Sequence, residues 1–302
     1  MKVLITGATG LIGTHLSNLL LSHGIHINYF TTDKDKIKSL PSFEGYYWNP
    51  EQCIIDKSAF IGVDAIIHLA GATVAKRWST SYKLQILQSR VLSGNLLYKT
   101  LKENPHQVKQ IIAASGIAIY PSSKDENYNE NFTDYANDFL GNVVEKWETS
   151  VRLFNKIGIE TCYLRTGLVL AKESVALGKL VKPISMGAGA AFGSGNQWQS
   201  WIHIDDAVKI YYFALANKLS GIYNVVAPQP VTNTKLVHSI ASKLGRRILL
   251  PNIPQFMVKP FIGEMATLLY DSQKVDASKI ISEGFKFRFN KVEEALEDLL
   301  SK

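Results

Sequence analysis

Gly7, Gly10 and Gly13 stand as G-x-x-G-x-x-G between an apolar run, Val3 to Thr6, and a segment in which Leu11, Ile12, Leu16, Leu19 and Leu20 recur at helical spacing. Glycines at that spacing permit a tight turn and a close backbone approach, and the helix N-terminus behind them can receive a pyrophosphate. A dinucleotide is the expected ligand, and a plain structural turn is the alternative. The next strand ends in Tyr29-Phe30-Thr31-Thr32-Asp33-Lys34. An acid at such a tip binds the ribose 2′-hydroxyl of NAD, whereas a basic residue accommodates the 2′-phosphate of NADP. Thr31 and Thr32 bring no acid, and Asp33 comes late, beside Lys34 and Lys36. NADP is therefore the expected cofactor, with NAD as the alternative. Lys34 and Lys36 read equally well as ordinary surface lysines.

Other reactive residue types carry two readings each. His203 with Asp205 and Asp206 has the look of a metal or acid-base triad, but an aspartate capping the helix that follows, with the histidine in a strand, fits the spacing better. His68 lies inside an apolar strand and reads as a core histidine. Arg165, at a strand end, either binds an anionic substrate or pairs with a buried carboxylate. Cys53 and Cys162 are too few and too far apart for a thiolate metal site or a disulfide framework, and no metal is expected.

Short apolar strands alternate with helical segments to position these groups. Val3–Thr6, Ile25–Phe30, Asp64–Leu69, Lys109–Ala114 and Ile159–Arg165 read as strands, and residues 81–102 and 137–155 as helices. That alternation predicts an α/β fold, a Rossmann-type doubly wound parallel sheet covered on both faces, over residues 1–170. Beyond it the rhythm breaks. Residues 187–195 are a Gly- and Ala-rich loop, 205–217 and 232–244 are helical, and 221–226 is a strand. Residues 196–228 are expected to return to the Rossmann domain, while 171–195 and 229–302 form a smaller substrate lobe that ends in a helix at about 291–300.

Composition narrows the partners. The 302 residues hold 33 Lys plus Arg against 26 Asp plus Glu, a formal charge of +7. The basic residues are dispersed, with Asp35 interrupting Lys34, Lys36 and Lys38, so a solvated surface is expected rather than a nucleic-acid stripe. The chain reaches its glycine turn within six residues of Met1 and has no apolar run near the ~20 residues that span a bilayer, so no signal peptide and no membrane partner are expected. A soluble cytoplasmic protein with a small-molecule substrate is the resulting expectation, and the oligomeric state stays open.

The segments Thr6-Gly-Ala-Thr-Gly-Leu-Ile-Gly13, Asp64-Ala-Ile-Ile-His-Leu-Ala-Gly71 and Trp201-Ile-His-Ile-Asp-Asp206 resemble the extended short-chain dehydrogenase/reductase superfamily, the NAD-dependent epimerase/dehydratases. Arg77-Trp78, Gly193-Ser-Gly-Asn-Gln-Trp198 with Ser200-Trp201, and Gly263-Glu-Met265 are similar to an atypical subgroup that carries its own short C-terminal domain. The resemblance covers essentially the whole chain. It implies that Gly7, Thr9, Gly10, Leu11 and Ile12 hold the pyrophosphate, with Thr32 at the ribose end, and that Leu69, Ala70 and Gly71 border the adenosine and ribose. By residue type, Arg77 and Trp78 with Trp198 and Trp201 are candidates for a cationic and aromatic pocket wall; core tryptophans at a domain junction are the alternative.

Active members of that superfamily use Tyr-x-x-x-Lys on a helix, with Ser or Thr from a strand end. The lysine lowers the phenol's pKa for proton transfer and binds the nicotinamide ribose. Aligned on Glu148, this chain has Leu140 at the tyrosine position and Val144 at the lysine position; counted back from Tyr120, Gly116 takes the serine position with Ser115 beside it. Tyr120 and Lys124 match the spacing only within a turn, around Pro121-Ser122-Ser123. Ser115 and Tyr120 are the substitute candidates for orienting a substrate carbonyl, and Ser115 also for contacting the cofactor; a packed tyrosine and a strand-end serine bonded to backbone are the alternative. Two functions follow: an NADP(H)-dependent oxidoreductase or epimerase for a small or nucleotide-linked carbonyl or hydroxyl compound, or a dinucleotide-binding sensor or interaction protein without catalysis.

Overall fold

The computed structural model describes residues 1–301. Its main elements in chain order are β1 (Lys2–Thr6), α1 (Leu11–Ser22), β2 (His26–Thr31), β3 (Phe43–Asn49), β4 (Ala65–His68), α2 (Thr80–Glu103), β5 (Gln110–Gly116), α3 (Phe139–Arg152) and β6 (Glu160–Thr166). There follow α4 (Val175–Ser185), α5 (Ile204–Ala216), β7 (Gly221–Val225), α6 (Asn233–Lys243), α7 (Gln255–Ile262) and α8 (Val292–Leu300). Strands β1 to β7 pair in parallel in the order 7-6-5-4-1-2-3, and the short strands Ser39–Leu40 and Ile54–Ile55 pair antiparallel with β3.

Alternation along the strands sorts side chains onto two faces. Leu4, Ile66, Ile111, Ala113 and Tyr163 pack under α2 and α3 with Leu97, Trp147 and Val151. Val3, Ile5, Ile67, Ile112 and Leu164 pack under α1 and α5 with Leu16, Leu20, Tyr211 and Ala214. The strands are apolar on both faces because helices cover both. The order reverses between β1 and β4, and an open α/β sheet binds its ligand outside the strand carboxyl ends at such a point. A third core lies off the sheet, where Leu177 and Ile184 of α4, Leu236 and Ile240 of α6, and Leu296 and Leu299 of α8 meet Trp201.

Of the numbered elements, three lie outside the sequence reading: β3, α4 and α7. Strand β3 hides in Phe43-Glu-Gly-Tyr-Tyr-Trp-Asn49, where Trp48 turns inward to stack on Phe30 at 5.1 Å. Helix α4 starts at a Ser174 cap and contains Pro183, and α7 contains Pro260. Along α7, Phe256, Met257 and Phe261 are exposed. Among the described residues, no helix is long and apolar enough to cross a membrane.

Candidate functional site

The crevice at the switch point is made by close backbone contact. A Cβ on Gly7 would lie 3.0 Å from the carbonyl carbon of Leu69, and one on Gly13 would lie 2.1 Å from the Gly7 carbonyl oxygen. Gly7 also has φ +76°, which favours glycine. The turn closes through Gly10 N–H donating to Gly7 O at 3.0 Å, and α1 starts immediately. Among the described residues no side chain caps α1 and its first turn carries no acid, whereas Ser79, Asp138, Ser174 and Thr232 cap α2, α3, α4 and α6. The first amides of α1 are thus left for an anion. Thr9 and Gly10 are exposed at this turn, with Leu11 and Ile12 half-buried behind them.

One hydroxyl ties the two crevice loops together. Thr6 Oγ1, at the end of β1, accepts from Leu69 N–H at 3.2 Å and Ala70 N–H at 3.1 Å. Its own proton then goes to His68 Nδ1, 2.7 Å away. That leaves the histidine proton on Nε2, 3.3 Å from Ser93 Oγ, whose hydroxyl donates to Ser89 O at 2.7 Å. His68 is therefore a satisfied, neutral core residue. Burial, with a smaller push from Arg90, lowers its pKa from 6.5 to about 4. An unfolded chain takes up this proton near pH 6.5, so the histidine's contribution to stability is complete above that pH and is lost as pH falls toward 4. The interval is worth about 3 kcal/mol at 1.36 kcal/mol per tenfold change in proton affinity. Urea unfolding of wild type and His68→Gln is expected to show a stability gap that narrows by about this amount between pH 7 and pH 4; a constant gap would refute the assignment.

At the tip of β2, Thr32 is exposed. The Asp33 carboxylate accepts from Asp35 N–H at 3.1 Å and lies 3.4 Å from Lys36 Nζ, while Lys34 Nζ sits 5.0 Å from the Tyr47 ring centroid. The one acid at this tip is thus occupied by local partners. On the other side of the crevice, exposed Gly71 backs onto Arg90, whose guanidinium donates to Ala72 O at 3.1 Å and Ile86 O at 3.0 Å.

At the far end of the crevice stand the positions that the alignment gives to proton-transfer groups. A Cβ on Gly116 would lie 3.6 Å from Val144 Cγ2, so the strand end and α3 meet as the alignment on Glu148 places them. An apolar contact stands there. Beneath it, the register sets Ser115, Arg165 and Asn224 side by side on β5, β6 and β7. Arg165 donates from Nε and Nη2 to the two Glu148 oxygens at 2.9 Å each, and from Nη1 to Tyr120 Oη at 3.1 Å. Ser115 donates to Glu148 at 2.6 Å, and Tyr120 donates to Asn224 Oδ1 at 2.8 Å. Burial alone would lower the Arg165 pKa, but the hydrogen bonds and charge of Glu148 outweigh it and hold the guanidinium charged. Of the two roles open to Arg165, pairing with a buried carboxylate is the one realised.

This network corrects the two catalytic candidates. Tyr120 is fully buried and stacked on Tyr128 at 5.1 Å, and burial raises its pKa. Its proton is committed to Asn224, and that of Ser115 to Glu148. Neither hydroxyl is free to serve a substrate carbonyl.

A cavity of about 150 Å³ opens beside the apolar contact, lined by Trp78, Ala118, Leu140, Lys259, Asp271 and Gln273, among others. Of the four pocket-wall candidates only Trp78 reaches it, its ring edge-on to Phe139 at 5.1 Å. Trp201 is fully buried in the third core with Nε1 donating to Gln229 O, and Trp198 donates to Lys124 O under Lys274. Arg77 is exposed outside the lining. The expected cap of α5 is also corrected: His203 itself caps the helix, its Nδ1 accepting from Asp205 N–H at 3.0 Å. Its extended backbone puts the ring within reach of that amide, and burial lowers its pKa and favours the neutral form that can accept. Asp206 instead binds the Arg288 and Phe289 amides, and Asp205 pairs with Arg288 at 3.0 Å.

Thr6, Arg90 and Asp271 went unnoticed in the sequence. For Thr6 a signal existed, a hydroxyl on the last residue before the glycine turn. Asp271 follows a four-residue helix in an irregular stretch, where no periodicity marks it.

The pattern of the NAD dependent epimerase/dehydratase family matches residues 3–226, and a domain of unknown function (DUF1731) matches residues 253–299. An epimerase family protein of Staphylococcus aureus (strain MRSA252) is 32% identical over 305 residues, covering 100% of this chain and 99% of its own length. The crystal structure of human epimerase family protein SDR39U1 (isoform 2) with NADPH is 30% identical, with a TM-score of 0.86 and 99% of both chains covered. A nucleoside-diphosphate sugar epimerase from Corynebacterium glutamicum is 27% identical, with a TM-score of 0.79, covering 99% of this chain and 58% of that one. The chain belongs to the NAD-dependent epimerase/dehydratase family, within the extended short-chain dehydrogenase/reductase superfamily.

Proposed function

We propose that this protein is an NADP(H)-dependent oxidoreductase or epimerase acting on a small or nucleotide-linked carbonyl or hydroxyl compound, by a route that does not use the Tyr-x-x-x-Lys pair. The observation that carries the reading is the crevice: glycines where a Cβ would strike backbone, in front of a helix whose first amides have no side-chain cap. Gly7, Thr9, Gly10, Leu11 and Ile12 would hold the pyrophosphate. Leu69 and Ala70, fixed by Thr6, and Gly71 would border the ribose, and Ser115 marks the strand end where the nicotinamide half would run. When bound, the dinucleotide supplies hydride exchange. Trp78 and Leu140 give the substrate cavity an apolar wall, and Asp271, Gln273 and Lys259 give it polar groups.

NADP over NAD is supported by the Asp33 carboxylate being engaged with Asp35 and Lys36, with Lys34 beside it, and by the NADPH held by the human relative. Titration with NADPH and NADH, followed by tryptophan fluorescence, is expected to show tighter NADPH binding. Lys34→Glu combined with Lys36→Glu should weaken NADPH about tenfold, ~1.4 kcal/mol, and leave NADH nearly unchanged. If neither dinucleotide binds below millimolar, the reading fails. Turnover is then sought against ketones, aldehydes and nucleotide sugars. The sensor reading rests on Leu140 and Val144, and cofactor binding without turnover would select it.

A further inference from the structure

The proposed reaction leaves one group unassigned: with Leu140 in the tyrosine position, nothing described so far takes up the substrate's proton. We propose that Asp271, contributed by the C-terminal segment, is the residue that accepts and returns the substrate hydroxyl proton in the cavity lined by Leu140. This rests on the oxidoreductase reading above.

Three observations place it. Asp271 and Leu140 line the same cavity, so a carboxylate residue from outside α3 borders the space beside the tyrosine position. The residues after Asp271 are bolted to the loop that follows β5: Ser272 N–H donates to Ser122 Oγ at 3.0 Å, and Gln273 Nε2 donates to Tyr120 O at 3.1 Å. Asp271 N–H itself donates to Thr267 O at 2.8 Å. The main chain that carries the carboxylate is therefore anchored to the loop beside the site, and such anchoring is what a proton-transfer group needs.

Of the other charged groups that line the cavity, Asp138 and Glu264 are engaged and Lys259 is exposed. Asp138 caps α3 through Gly141 N–H at 2.8 Å and is exposed. Glu264 pairs with Lys83. Lys259, on α7, is exposed. Among the described residues no side chain or amide donates to the Asp271 carboxylate. Burial, with a smaller push from the Asp138 charge, raises its pKa from 3.8 to about 6. An acid poised near neutrality exchanges protons in both directions at working pH, which an ordinary carboxylate does poorly.

In the oxidative direction the substrate C–H bond breaks with its electron pair, as hydride, to the oxidised nicotinamide. The O–H bond breaks with its proton to the Asp271 carboxylate, and the C=O double bond forms. Asp271, now neutral, then loses the proton to solvent through the open side of the cavity. Reduction runs the same balance backwards. The C-terminal segment, residues 253–299, thereby supplies chemistry as well as a wall.

The test has two readouts. In the unliganded protein, carboxyl-carbon NMR of wild type and Asp271→Asn identifies the Asp271 resonance, which is expected to titrate near 6 and to move down in Asp138→Asn. Titration below about 4.5, within the ordinary carboxylate range, would overturn the proposal. In turnover, Asp271→Asn should lose at least a hundredfold in kcat while NADPH affinity stays within twofold, and Asp271→Glu should recover part of the rate. A variant that binds NADPH and turns over at the wild-type rate overturns the role of Asp271 and leaves the oxidoreductase reading intact. Failure of wild type to bind a dinucleotide overturns that reading, and a wild type that binds but never turns over overturns both. Should Asp271→Asn lose NADPH binding as well, the NMR titration decides.

Discussion

Replacing Gly13 with alanine is expected to weaken dinucleotide binding by at least a hundredfold, about 2.7 kcal/mol. The added Cβ would stand 2.1 Å from the Gly7 carbonyl oxygen and 2.7 Å from Ala8 Cα. Both obstacles are backbone, so no side-chain rotation relieves them, and the turn must open or α1 must move off the sheet. Either change disperses the amides that would face the pyrophosphate. Some stability should be lost too, about 1–3 kcal/mol for an overpacked site. Gly178, in α4, is the matched control: a Cβ there meets nothing within 4 Å, so Gly178→Ala should leave binding alone and stabilise the fold by about 0.5–1 kcal/mol. Calorimetric titration of both variants checks the pair. Unchanged affinity in Gly13→Ala would mean that the phosphate loop lies elsewhere. Gly10→Asp tests the same turn electrostatically, by placing a negative charge where the anion would sit.

Removing the Glu148 carboxylate is expected to cost about 3–5 kcal/mol of folding stability. Glu148→Ala leaves the Arg165 guanidinium at 0% exposure with neither of its carboxylate bonds, and leaves the Ser115 hydroxyl without its acceptor. The cost is that of an unpaired buried charge, not the worth of the pair. Glu148→Leu with Arg165→Leu should accordingly lose less than Glu148→Ala alone. Urea unfolding of the three proteins provides the check, and a double variant less stable than the single one would contradict the account. Tyr120 and Asn224 belong to the same network, so the double variant also reports how much of the floor under the cavity depends on the ion pair.

What the sequence revealed and concealed divides along contact distance. The glycine turn, the strand and helix around it, and the meeting of Gly116 with Val144 were readable because each rests on local spacing and one anchored helix. Asp271 was hidden because its position depends on bonds from its neighbour Ser272 to Ser122, 150 residues away. Trp198 and Trp201 share a composition signal with pocket tryptophans, and only packing separates a fully buried ring from a wall. The aspartates after His203 lost the expected cap to a backbone angle: an extended residue directly before a helix can cap it with an imidazole as with a carboxylate. Strand β3 escaped because its inward residues are aromatics mixed with Glu44, Gly45 and Asn49, which blurs the two-residue period.

The bonds from Ser272 and Gln273 to the loop after β5 make roof and floor of the cavity a single mechanical piece. Lengthening the chain between Asp271 and Ser272 would slide the roof's carboxylate against a fixed anchor, whereas exchanging side chains such as Trp78, Leu140 or Gln255 would not. Such a frame separates two kinds of inheritance: the spacing that holds the reacting groups in register is stiff, and the surface that a substrate meets is free to drift.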